Sequence, residues 1–166
     1  MTLPADAVTG TPVGEPDTAG VVARPPLVFL GSILAGLGLH RGWPISLLPA
    51  GPHPAWGGVL IGGALVLFVL AVRELRRAGT AVQTSHPTMA LVQRGPYRLS
   101  RNPIYLAFVL FQVGVAVLVN SAWVLGMAIP AVAVVRYGVI GREEAYLERK
   151  FGDTYRRYAR SVRRWL

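Results

Sequence analysis

Two apolar runs, 103–119 and 122–140, are separated only by Asn120-Ser121. Each approaches the length a helix needs to cross a hydrocarbon layer. A two-residue turn then forces a tight antiparallel hairpin, whose free ends emerge on one side. The polar segments flanking this hairpin are about 40 residues apart in sequence, yet such a hairpin brings them to the same membrane face. Before it comes Gly95-Pro96-Tyr97-Arg98-Leu99-Ser100-Arg101-Asn102-Pro103-Ile104-Tyr105; after it come Arg142-Glu143-Glu144 and Phe151-Gly152-Asp153-Thr154-Tyr155.

Two further apolar stretches precede the hairpin. One covers about 27–48 and is interrupted in its second half by His40, Arg41 and Pro44; the other covers 55–72. The expected fold is an all-α integral membrane protein of about four transmembrane helices, ending in an amphipathic cytoplasmic helix. Residues 1–26, rich in Pro, Gly, Thr and Ala, read as a disordered tail without a signal peptide. Residues 27–166 then form a single membrane domain, with a cytoplasmic loop over 73–102 and a cytoplasmic tail over 141–166. Pro130 predicts a kink in the fourth span. Gly58-x-x-x-Gly62 resembles a helix-packing motif, and close contact within the monomer is the preferred reading over dimerisation.

Charge sets the expected orientation. The segment 73–102 carries six Arg and one Glu, and the tail after Gly141 carries eight basic and four acidic residues. Between the first two spans there is only Arg41. By the positive-inside rule both termini and the long loop lie in the cytoplasm; the Ala, Gly and Arg bias reads as bacterial, so a bacterial inner membrane is the expected location. The net charge of +9 is clustered beside the membrane rather than attached to a recognition motif. Anionic membrane lipids are therefore the expected partners, and nucleic acid is not.

Cysteine is absent, which removes disulfides and thiol chemistry. His40, His53 and His86 share no metal-ligand spacing, so no metal is expected. There is neither a Walker loop nor a dinucleotide fingerprint. What remains is charge at the membrane edge. Adjacent helical residues point about 100° apart, so one of Glu143 and Glu144 can face inward while the other faces solvent or headgroups. Candidate partners are Arg98, Arg101, Arg136 and Arg142, or the ammonium of a ligand. Tyr97 and Tyr105 offer rings to a heterocycle or a sulfonium. In the tail, Leu147, Phe151, Tyr155, Tyr158, Val162 and Trp165 fall on one helical face, and Gly152-Asp153 offers a kink with Asp153 as a cap.

The series Pro87-Thr88-x-x-Leu91-Val92-x-x-Gly95-Pro96-Tyr97-Arg98-x-x-Arg101-Asn102-Pro103-x-Tyr105-Leu106, followed by Glu143-Glu144-x-x-Leu147 and Phe151-Gly152-x-x-Tyr155-x-x-Tyr158, resembles the isoprenylcysteine carboxyl methyltransferase and phospholipid methyltransferase superfamily. The resemblance covers roughly Arg73 to the C-terminus. It implies an integral membrane enzyme using S-adenosylmethionine on the cytoplasmic side, with a lipophilic substrate arriving from the bilayer. By resemblance, Leu91, Val92, Gly95, Tyr97, Arg101, Asn102, Tyr105, Glu143 and Glu144 hold the cofactor. Glu144 and Arg136 are assigned to catalysis, Arg136 by orienting an anionic substrate group. Many members carry His at the position of Asn102 and Gly at that of Ala107, so Asn102 is expected to hydrogen-bond rather than act as a base. The expected reaction is methyl transfer to a membrane-dissolved acceptor, either a phospholipid amine or a small lipophilic carboxylate, thiol or amine. The competing reading is a non-enzymatic membrane protein that retains the fold.

Overall fold

The computed structural model describes residues 24–51, 53–80 and 90–166. Among them every regular element is helical. The order is α1 Pro25–Gly42, α2 His53–Arg77, a 3-10 turn Gly95–Arg98, α3 Pro103–Leu118, α4 Ala122–Gly126, α5 Ala128–Val135, a π-helical turn Arg136–Ile140, and α6 Gly141–Ser161. The expected N-terminal tail falls, but for its last three residues, outside the described residues, as do Pro87, Thr88 and His86.

Among the described residues two helices are long and apolar enough to cross a membrane: α2, and the run from α4 through α6, whose apolar part is 122–140. The apolar α3 has 16 residues and rises only about 24 Å. The first apolar stretch ends earlier than its composition suggested. Helix α1 stops at Gly42, where Trp43 leaves helical geometry just before Pro44, whose ring disfavours helix in the preceding residue.

Helix α2 packs along α3, and α1 packs on α4 and α5. The small-residue contact between α2 and α3 differs from the one expected. A Cβ on Gly57 would lie 2.5 Å from Leu118 N, and one on Gly114 would lie 2.8 Å from Ile61 Cγ1. Gly58 and Gly62 have nothing within 4 Å, because they lie on the outward face of α2. Their motif therefore makes no close contact among the described residues.

One end of the bundle is fastened by polar bonds between turns. Asn120, at φ +50°, accepts from Leu47 N at 3.0 Å and Leu48 N at 2.8 Å. Trp123 Nε1 donates to Trp43 O at 2.7 Å. Ser121 caps α4 by accepting from Val124 N. The helix breaks at Met127, one turn before Pro130, whose missing N–H and bulky ring disrupt the ladder toward residue 126. Val124 O lies next to that break and receives Gln112 Nε2 at 3.0 Å. Gln112 Oε1 in turn accepts from Ser32 Oγ at 2.8 Å, so this buried amide ties α1, α3 and α4 together.

Candidate functional site

The opposite end of the bundle gathers the motif residues. Tyr97, in the 3-10 turn, packs with Val92 against Ala71 of α2. Gly95 opens that turn at φ +56°, close against the Glu74 side chain. Leu91 lies beside Val92, half-buried. The next residues are held from the far end of the chain: Arg101 N donates to Arg163 O at 3.0 Å, and Ser100 Oγ to Arg164 O at 3.2 Å. Asn102 Nδ2 also donates to Arg164 O, at 3.1 Å. Asn102 thus makes the hydrogen bond its chemistry allows, with the backbone as its partner.

The π turn controls what α6 presents. It inserts an extra residue into the hydrogen-bond ladder, which rotates everything after it by about 100°. The neighbours Val139 and Ile140 are both fully buried in consequence, and the Glu pair follows directly. Both carboxylates turn inward. They reach different elements. Glu143 Oε1 accepts from Tyr105 Oη on α3 at 2.8 Å. Glu144 Oε1 meets Arg101 Nη1 at 3.0 Å and Arg164 Nε at 2.9 Å, while Oε2 meets Arg164 Nη2.

The two acids are therefore electrostatically unlike. Glu144 is shared by two guanidiniums. Glu143 has a phenol but, among the described residues, no cation. Burial pushes the Glu143 carboxyl up to about 7; the Tyr105 bond works against that shift and the Glu144 charge adds to it. Burial also pushes the Tyr97 phenol well up, assisted by Tyr158 and Glu143, so Tyr97 remains a neutral ring. Tyr158 Oη donates to Tyr97 O at 2.7 Å, fastening the second half of α6 beneath the 3-10 turn.

That second half is set by Gly152, whose φ of +51° breaks the helix in a region that side chains other than glycine avoid. Asp153 follows, and its carboxylate binds Arg156 at 2.9 Å. The two halves of α6 flank an open cleft of about 460 Å³ lined by Arg101, Glu144, Glu148, Tyr155, Arg156 and Arg160 among others. Arg101 Nη1 donates to the Tyr155 hydroxyl at its inner wall, at 3.3 Å.

Of the residues singled out in the sequence, Tyr105 bonds Glu143, Arg101 bonds Glu144, and Asn102 is joined to Glu144 through Arg164, while Tyr97 is tied to α6 only through Tyr158. Arg136 stands apart: its guanidinium lies over the Tyr137 ring, 5.6 Å from the centroid. Arg164 and Ser100 were missed. The apolar spacing had placed Val162 and Trp165 on a continuing helix, but α6 ends at Ser161 and Val162 is extended. This extended segment delivers Arg164 to Glu144, and Trp165 packs against the cluster formed by Phe29, Tyr105, Val135, Val139 and Ile140.

An uncharacterized protein of Haemophilus influenzae is 55% identical over 47 residues, which cover 28% of this chain and 71% of that one. No solved structure matches. The sequence model of the phospholipid methyltransferase family matches residues 53–154, from the start of α2 through the hairpin and the Glu pair to just past the Gly152 break. The chain belongs to the phospholipid methyltransferase family.

Proposed function

We propose that this protein transfers a methyl group from S-adenosylmethionine to a nucleophile on a membrane-dissolved acceptor, a phospholipid amine or a small lipophilic molecule. The observation carrying this reading is Glu143: an enclosed carboxyl, bonded to one phenol, with no cation of its own among the described residues. Such a group is costly to ionise in isolation, and the ammonium of an amino acid head would complete it. The residues fit the cofactor in kind. Glu143 takes the ammonium, and the neutral rings of Tyr97 and Tyr105 take the cationic or aromatic parts. Leu91, Val92 and Gly95 lie alongside Tyr97 as the further contacts implied by the family.

When bound, the cofactor supplies an electrophilic methyl on a sulfonium, so transfer is an in-line displacement that needs no metal and no covalent enzyme intermediate. The work left to the chain is alignment and exclusion of water, effects that contribute up to about 7–11 kcal/mol where geometry is held well. Arg136 is assigned to an anionic group of the acceptor. It lies near the cytoplasmic end of the fourth span with its guanidinium over the Tyr137 ring, and a guanidinium offers oxyanions a planar fork of N–H donors. In this reading the four apolar helices all cross the membrane, and the site faces the cytoplasm.

The test is calorimetric binding of S-adenosylmethionine to the full chain in lipid nanodiscs. Binding should be lost in Glu143→Gln. It should tighten as pH rises through about 7, because the carboxyl must give up its proton to take an ammonium. Absence of binding to the wild type in nanodiscs would overturn the reading in favour of a non-enzymatic protein. With binding established, labelled methyl groups appearing in the lipid extract would identify the acceptor class.

A further inference from the structure

The family match ends at residue 154, and residues 162–166 lie beyond it, yet this segment is built into the site. Its backbone accepts three bonds from the Ser100-Arg101-Asn102 run. Its Trp165 is seated in the core cluster. Its Arg164 grips both oxygens of Glu144. A fork of this kind fixes the carboxylate in direction as well as place, which a single point charge does not.

We propose that Arg164 is a positioning residue for Glu143: clamping Glu144 together with Arg101, it fixes the first turn of α6 and offsets the charge beside Glu143, keeping Glu143 directed at Tyr105 and open to a cationic ligand group. This rests on the reading of Glu143 as the ammonium acceptor. The groups facing Glu143 are Tyr105 from α3, Tyr97 from the 3-10 turn, and Glu144 on its own helix. Of these only Glu144 carries a full charge near neutrality, and Arg101 and Arg164 are what compensate it. Taking Arg164 away leaves a more negative neighbour, which holds the proton on Glu143 to higher pH.

The test follows the Glu143 proton directly, by the infrared carbonyl band of its protonated form in the full chain in nanodiscs, identified by its disappearance in Glu143→Gln. In Arg164→Gln the midpoint should rise by about one pH unit. Affinity for S-adenosylmethionine at pH 7 should then fall by up to about tenfold. Arg164→Lys keeps the charge and should hold the midpoint near wild type, though without the fork. The Arg163 side chain makes no bond to Glu144, so Arg163→Gln, with the same charge loss one residue away, should change neither quantity. If Arg164→Gln does not fold, Arg164→Met keeps the packing of the stem and replaces it. An unchanged midpoint and affinity in the neutral Arg164 variant would overturn the proposal, as would an equal midpoint shift in Arg163→Gln. A midpoint that responds as expected in a protein that binds no S-adenosylmethionine would instead retain the clamp and remove the methyl-donor reading.

Discussion

Glu143 and Glu144 are chemically identical neighbours with opposite environments, and the difference is made by what each touches. Glu144 meets two guanidiniums; Glu143 meets one phenol. The raised Glu143 carboxyl has a consequence for stability as well as binding. Its folded value, about 7, lies above the 4.5 of an ordinary glutamate, so folding favours the protonated form. Its contribution to stability is complete below pH 4.5 and is lost as pH rises through 7, a difference of at most about 3 kcal/mol. In Glu143→Gln this loss should vanish. Between pH 5 and pH 8 the wild type should lose melting temperature relative to the variant, measured by thermal unfolding in detergent without cofactor. A pH profile identical in the two proteins would show that the carboxyl ionises freely. The sequence displayed the Glu pair and its spacing from the Arg-Asn-Pro run. Which acid was free and which was paired depended on Arg164, whose approach has no local signal.

At the scale of elements, the chain's breaks matter as much as its helices. The π turn, one residue longer than an α turn, aims the Glu pair, and Gly152 folds the end of α6 back beneath Tyr97. The α2–α3 contact is equally specific. Gly57 and Gly114 permit backbone approach that any side chain would block, whereas Gly58 and Gly62 face outward. Gly57→Ala and Gly114→Ala should each destabilise the protein by about 1–3 kcal/mol through overpacking. Gly58→Ala and Gly62→Ala should be close to neutral or slightly stabilising, since Ala favours helix over Gly. Thermal inactivation of the four single variants checks this; equal losses at all four positions would refute the assignment of faces. The spacing of Gly58 and Gly62 was visible in the sequence. The face it lay on was not, because both glycine rows run along the same helix and only the position of α3 selects between them.

Across the whole molecule, the fold separates its two ends by chemistry. One end is closed by Asn120, Trp123 and the 43–48 turn through neutral hydrogen bonds. The other gathers Arg101, Arg164, the Glu143–Glu144 pair and Tyr97, Tyr105, Tyr155 and Tyr158. The proposed topology places the first end outside the cytoplasm. Because the chain contains no cysteine, single substitutions report cleanly. Gly51→Cys should react with an impermeant thiol reagent from the outer side only, and Arg160→Cys from the cytoplasmic side only. Labelling of both from one side would exclude an arrangement in which all four apolar helices cross. What the sequence determined by itself was the helical class, the hairpin around Asn120-Ser121, and the family to which the two flanking motifs belong. These depend on hydrophobicity, turn chemistry and residue spacing, which act locally along the chain. The tertiary structure alone decided that Gly57 rather than Gly58 meets α3, and that residues 162–166 return to the Ser100-Arg101-Asn102 run. Those outcomes depend on which surfaces meet across the bundle, and a carboxylate acquires its partner only when the backbone brings a distant arginine to it.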